Sequence, residues 1–299
     1  NSEIEWLDIT HGAAGMSIGL ASLMPLLPAY AERLQARVDA LLALLLRTQE
    51  SDGRWVTPAG VPGMSGETIT GFAHGVAGIG YALALASPRD EQCLEASVRA
   101  ADWLVAQAAE ASDGALMWSY SDRHPEPWNW WCHGSPGISK FFALLASLTG
   151  EEQYARLARA CLTQIPPRFS PPNLSLCHGL AGLAELLFDA ADLLGEPDLR
   201  SRACSLVESL AARRFRGSID TYWVVENTDV VSADLMVGLA GVVHVLTRAL
   251  SPPPFASWDA TLLTAPRRSE ANLRWEGGTQ PQRGHCSPGS HTRASSHGP

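Results

Sequence analysis

Hydrophobic positions along this chain fall into two alternating kinds of segment. Residues 16–27, 79–86, 138–148, 183–194 and 242–250 are apolar almost all round, with few charges. A helix without a polar face is buried on every side. Residues 31–47, 91–108, 151–164 and 198–213 lie between them and carry Arg, Glu and Gln on one face, the pattern of a helix with solvent on one side. The predicted unit is therefore a buried helix, a loop and an outer helix. Strand signals are sparse: residues 221–225 are the best short candidate and read equally well as loop.

A short motif opens each apolar segment. It reads HGAAG at His11, HGVAG at His74, HGSPG at His133 and HGLAG at His178, and degenerates to VGLAG at Val237. Five such motifs, each followed by an apolar run, mark an internal repeat. Repeated helical hairpins stack side by side and bury a shared core. If the row closes on itself, two concentric rings of helices result, so the predicted class is all-α and the architecture an α/α toroid. Glycines three apart share a helix face and let neighbouring backbones approach. The histidines and cysteines of the motifs then share one level, the N-terminal ends of the inner helices, where free N–H groups favour anions and thiolates.

Composition narrows the partners. With 46% hydrophobic and 18% charged residues in 299, the chain has material for a sizeable core in one large or two small domains. A net charge of -9 repels phosphate backbones and anionic lipid, so neither nucleic acid nor a membrane surface is an expected partner. No apolar run reaches the roughly 18 residues of a membrane span. The acidic start Asn1-Ser2-Glu3-Ile4-Glu5 is not a signal peptide, and a cytoplasmic location is expected. The chain reaches its first motif within ten residues without an initial Met and reads as a fragment truncated at its N-terminus. Past Leu250, Ser251-Pro252-Pro253-Pro254 stops the helix, and residues 267–299, rich in Gly, Ser, Pro, Arg and His, read as a disordered tail to a domain spanning 1–266.

The six cysteines are too dispersed for a disulfide framework. Cys93, Cys161 and Cys204 sit in helical segments and read as small buried residues. Cys132 and Cys177 differ, because each precedes His-Gly at the same phase of consecutive repeats. Adjacent hairpins would bring two thiolates and an imidazole to one point, the donor set of a catalytic zinc ion with one open position. Spacing leaves open whether His133 or His178 is the third ligand; all four together would close the site. The plainer alternative is a buried Cys followed by a helix-capping His. Asp8, just before the first inner helix, reads from the residues alone as an N-cap. His74 reads as either a packed or a reactive imidazole. His11 sits at the repeat's His phase with no assigned role, and His244, in mid-helix, reads as a core histidine. Trp128, Trp130 and Trp131 either line a peptide groove or pack on the ring, packing being expected for at least two.

The strings LDITHGAAG, GFAHGVAGI, WWCHGSPGI, LCHGLAGLAELL and DLMVGLAGV, in this order over residues 7–250, resemble the lanthionine synthetase C-like family, the cyclases of lanthipeptide biosynthesis. The resemblance implies the α/α toroid and one zinc ion on Cys132, Cys177 and His178, with the fourth position for water or a substrate thiolate. It implies catalytic roles for Asp8 and His74, the latter as acid/base. The implied substrate is a precursor peptide with dehydrated Ser or Thr and free Cys, supplied by a dehydratase domain or partner. The implied reaction is Michael-type addition of the Cys thiolate to dehydroalanine or dehydrobutyrine, giving (methyl)lanthionine rings. Two thiolate ligands cancel the charge of zinc, which keeps a bound thiolate nucleophilic. Family members carry further hairpins before the Asp8 motif, so an incomplete ring is expected here, either as a stand-alone cyclase or as the C-terminal part of a larger synthetase. Competing readings are addition of a small thiol such as glutathione, a non-catalytic peptide-binding toroid, and a carbohydrate-active toroid. The last needs paired carboxylates, which Asp8, Glu67 and Asp234 do not form in sequence.

Overall fold

The computed structural model describes residues 6–250 apart from 112–113, 164, 166–172, 217–220 and 227–230. The expected tail and the domain boundary at residue 266 lie outside the described residues. The inner helices are α1 (Ala13–Leu23), α3 (Val76–Ala86), α5 (Ser135–Thr149), α7 (Leu180–Leu194) and α9 (Leu239–Leu250). The outer ones are α2 (Ala31–Thr48), α4 (Glu91–Gln107), α6 (Glu152–Leu162) and α8 (Pro197–Ala212). Inner helices pack in chain order, α1 on α3, α3 on α5, α5 on α7 and α7 on α9, and the outer helices α2, α4, α6 and α8 each pack on the inner helix before them. This is the all-α toroid architecture that the hydrophobic pattern predicts.

The pattern misplaces the inner helix starts. Each helix begins three residues before its apolar run, at Ala13, Val76, Ser135, Leu180 and Leu239. The G-x-x-G motif is itself the first helical turn, and its glycines hide that turn from a hydrophobicity reading. Burial on every side holds for the middle of the row: every α7 residue from Leu180 to Ala191 is buried. It fails at the ends, where Met16 and Leu23 of α1 and Val243 and Leu250 of α9 are exposed. Among the described residues, the inner neighbour of α1 is α3 and that of α9 is α7, with no comparably packed inner helix on the other side.

Loops after the outer helices carry a second repeated device. The indole N–H of Trp55 donates to the carbonyl of Leu45 at 2.8 Å, that of Trp118 to Leu104 at 2.7 Å and that of Trp223 to Leu210 at 2.9 Å. Each indole satisfies a carbonyl in the last turn of an outer helix, where intrahelical partners run out. Two short antiparallel hairpins lie in these loops: β1 (Ala109–Glu110) with β2 (Leu116–Met117), and β3 (Phe215–Arg216) with β4 (Thr221–Tyr222). The strand candidate at 221–225 is thus strand over its first two residues.

A buried ionic cluster ties three inner helices together. Lys140 Nζ of α5 lies 2.6 Å from Asp189 Oδ2 of α7, and Arg248 Nη1 of α9 lies 2.6 Å from Asp189 Oδ1. Arg248 also reaches Glu185 at 2.7 Å and Asp192 at 3.0 Å. Burial alone would push the Asp189 carboxyl up; Lys140 and Arg248 outweigh it and hold that group below the ordinary range. His244 joins by a 3.1 Å contact to Glu185; it is half-buried beside this ionic cluster rather than packed in the apolar core that its mid-helix position suggests.

Successive repeats are joined by a ladder of backbone hydrogen bonds at one motif position. The N–H of Thr10 donates to the carbonyl of Ala73 at 3.3 Å, Ala73 to Cys132 at 2.8 Å, Cys132 to Cys177 at 3.1 Å, and Cys177 to Met236 at 2.8 Å. The second motif glycine permits this close stacking. A Cβ on Gly182 would stand 1.9 Å from the Leu176 carbonyl oxygen and 3.0 Å from Trp131 Cβ. The nearest group is thus the loop of its own repeat, with the preceding repeat second. Gly134 has φ 94, a left-handed conformation that favours glycine.

Candidate metal centre

The ladder decides which side chains meet. Cys132 and Cys177 occupy equivalent rungs, and their bonded backbones turn both sulfurs into one space at the N-terminal ends of α5 and α7. The donor atoms of Cys132, Cys177 and His178 all lie within 4.8 Å of one another. The Cys132 and Cys177 side chains are hydrogen-bonded to each other. That bond first, and the neighbouring His178 after it, bring Cys177 down to about 5 against the resistance of burial. The same pairing, then burial, pushes Cys132 up. Contact with Cys177 raises His178, which burial by itself would lower. Two sulfurs and an imidazole fit zinc by softness and by number, three ligands leaving one position open.

His133 does not join this set. It is buried, its Nδ1 has no hydrogen-bond partner, and a Cβ on Gly71 would stand 2.7 Å from that nitrogen. Burial, with His74 next, pushes its pKa down to about 3. Of the two histidines that spacing leaves open, geometry therefore gathers His178 with the cysteines.

Glu226 extends the centre. Its Oε1 lies 2.7 Å from His178 Nε2, so a carboxylate orients a ring that also contacts Cys177. Nothing in the repeat points to Glu226, which lies in the loop after β4. Tyr120 is a second residue outside the motifs. Its ring centroid is 4.5 Å from that of His133, and burial, then Glu67 and Cys132, push its phenol up.

Asp8 and His74 meet one repeat step away. Asp8 does not cap α1, whose N-cap is Gly12 without a side-chain bond; instead its Oδ1 accepts the backbone N–H of His11 at 2.7 Å in the turn before the helix. Its Oδ2 lies 2.7 Å from His74 Nδ1, so the same carboxylate also orients the imidazole. The motif histidines form a stacked row, with 5.3 Å between the ring centroids of His11 and His74 and 5.6 Å between His74 and His133. Trp131 is buried edge-on against Phe72 and Trp130 packs on the core, whereas Trp128 is exposed beside Tyr120 and His133. The carboxylates weighed for sugar chemistry are each engaged elsewhere. Ser121 donates to Glu67, and Asp234 accepts the N–H groups of Met236 and Val237.

Fold and centre together define a toroid of helical hairpins with a sulfur-rich, metal-type pocket at the N-terminal ends of its inner helices. The chain belongs to the lanthionine synthetase C-like family, whose model matches residues 1–263. Among solved structures it is similar to nisin cyclase, with TM-score 0.63 and 18% identity, over 86% of this chain and 66% of that one. It is also similar to a GH76 α-mannanase of Bacteroides thetaiotaomicron, with TM-score 0.54 and 16% identity, over 79% of this chain and 67% of that one. The chain thus spans just under two thirds of nisin cyclase, and both likenesses concern the fold. No curated protein sequence matches it. No helix among the described residues is long and apolar enough to cross a membrane.

Proposed function

We propose that this chain is a zinc-dependent lanthipeptide cyclase, which closes thioether rings by adding peptide Cys thiolates to dehydroalanine or dehydrobutyrine. One observation carries the reading: an Asp8–His74 pair stands one repeat step from a Cys132–Cys177–His178 cluster, with the His133 ring between them. A proton-transfer pair beside a thiol-binding centre is what thiol addition to a double bond requires. Cys132, Cys177 and His178 would hold one zinc ion, which when bound lowers the pKa of a thiol beside it, so that thiolate is present near neutral pH.

The chain's own residues handle the proton. Asp8 accepts the Nδ1 proton of His74, which leaves Nε2 as the basic nitrogen. His74 takes the substrate thiol proton at Nε2. The sulfur bonds to the β-carbon, the double-bond pair moves onto the carbonyl as an enolate, and His74 returns the proton to the α-carbon. The net result moves one proton from sulfur to carbon. Exposed Trp128, with Tyr120 behind it, offers an aromatic surface for the peptide beside this centre. A precursor peptide, dehydrated by another domain or protein, is the substrate, and a cytoplasmic setting suits its free thiols.

Cyclisation leaves mass unchanged, so the test counts free thiols. A dehydrated Cys-containing peptide is incubated with the protein, alkylated and weighed, and the count should fall with wild type and hold with Cys132→Ala and His74→Asn. Full cyclisation by zinc-free Cys132→Ala protein overturns the reading. A product heavier by one glutathione, with peptide thiols untouched, favours small-thiol addition. No zinc and no reaction favours a binding module.

A further inference from the structure

The Asp8–His74 pair has a third neighbour that the proposed reaction leaves unused. His11 turns its Nδ1 toward the same Asp8 oxygen that His74 contacts, at 3.9 Å against 2.7 Å for His74. The donor atoms of Asp8, His11 and His74 all lie within 4.8 Å of one another, a bound that the cysteine centre also meets. We propose that these three residues form a second divalent transition-metal site, and that filling it blocks the Asp8–His74 pair.

Geometry supports a ligand role. Donors about 2.0–2.1 Å from a tetrahedral ion stand about 3.3 Å apart. The two observed contacts to Asp8 Oδ2, 2.7 and 3.9 Å, bracket that spacing. Seating an ion therefore needs the His74 contact to open and His11 to close in. His11 is the residue free to move: its side chain is 51% exposed, against 18% for His74 and 8% for Asp8. Trp6, with its ring centroid 4.6 Å from that of His11, backs the moving ring. The Asp8 carboxylate is already fixed by the His11 N–H on its other oxygen, so one oxygen is presented without rearrangement.

Chemistry separates the two centres. Two imidazoles and a carboxylate make a harder set than two thiolates and an imidazole, and they suit Zn2+, Co2+ or Ni2+ without the thiolate preference for zinc. Both centres stand at N-terminal ends of inner helices, whose positive ends oppose a cation. One carboxylate offsets that field less than two thiolates do, so this is the weaker site and fills second. The proton that His74 gives to Asp8 through Nδ1 is lost to solvent as that nitrogen takes the metal, and Nε2 gains one in exchange. His74 then has no basic nitrogen left for the thiol. Excess metal should thus inhibit the reaction that the first equivalent enables. Only this last consequence rests on the proposed function; the binding itself does not.

The experiment adds Co2+ stepwise to the full metal-free chain and follows absorption and heat. The first equivalent should give sulfur-to-cobalt charge-transfer bands. A second, weaker step should give none. His11→Ala and, as a milder change, His11→Gln should keep the first step and lose the second. The loss should exceed the roughly 10–100-fold penalty of removing a mere outer partner. Cys132→Ala should lose the sulfur bands and keep the weaker step. Absence of a second step in wild type, or its persistence in both His11 variants, overturns the proposal. Where peptide cyclisation is measurable, added metal should inhibit wild type and spare His11→Gln. If no cyclisation is found at all, the proposed function fails while the two-step titration still decides this site.

Discussion

The backbone N–H of Cys132 donates to the carbonyl of Cys177 across 3.1 Å, although 45 residues of chain separate them. That bond is one rung of a ladder joining equivalent positions of successive hairpins. It brings the two sulfurs together whether or not a metal is bound, so the centre is pre-formed to that extent.

Zinc should therefore stabilise a fold that exists without it. Thermal unfolding of the metal-free chain should be cooperative. Zinc at 100 times its dissociation constant should add about 2.7 kcal/mol. Cys132→Ala should erase most of the zinc response while the metal-free midpoint stays near that of wild type. A metal-free protein without a cooperative transition would show the ladder insufficient.

Glu226→Gln should weaken zinc binding about 10–100-fold, since the carboxylate 2.7 Å from His178 Nε2 orients a ligand. Competition with a chromophoric chelator measures this directly. The unfolding midpoint of the metal-free variant should stay close to that of wild type, because both side chains are partly exposed. Equal affinities would leave Glu226 with no bearing on the metal.

Gly182→Ala should damage both fold and centre. Its new methyl would stand 1.9 Å from the Leu176 oxygen, a backbone atom that moves only with the loop carrying Cys177. The expected loss is about 1–3 kcal/mol or more, as for overpacking of a tight core. Urea unfolding and zinc affinity should fall together. Gly19, where a methyl meets nothing within 4 Å, is the control and should tolerate alanine.

Acid should act through Asp189. Its pKa in the fold is held below the usual carboxylate value by Lys140 and Arg248 despite burial. The unfolded chain therefore binds a proton more readily, and stability rises with pH in that window. The contribution is complete above the unfolded value of about 4 and is lost as pH falls through the folded one. Asp189→Asn leaves Lys140 and Arg248 buried with a carboxylate missing, at about 3–5 kcal/mol by analogy with broken buried pairs. Urea midpoints at pH 7 and pH 3 should differ less for Asp189→Asn than for wild type.

Much of the fold is legible in the sequence because inner and outer helices differ in how many faces they bury. The motif supplies the phase, and phase alone places Cys132 and Cys177 side by side. Residues outside the repeat escape such a reading. Glu226 and Tyr120 come from loops between hairpins, where neither period nor motif constrains the chain. Lys140, Asp189 and Arg248 look like isolated charges in apolar runs, and only the packing of α5, α7 and α9 reveals that they neutralise one another. Asp8 shows a different limit. Its place just before an inner helix suggests an N-cap, yet one oxygen closes the preceding turn on the His11 N–H and the other meets His74.

The ladder also has a direction. Every rung runs from the N–H of one hairpin to the carbonyl of the next, and at Met236 the Asp234 side chain accepts in place of a further carbonyl. The cysteine centre thus belongs to a joint between two neighbouring hairpins and to neither hairpin alone. Adding or removing hairpins elsewhere in such an array would leave that joint intact. Two successive Cys-His motifs would carry their chemistry with them into rings of different size.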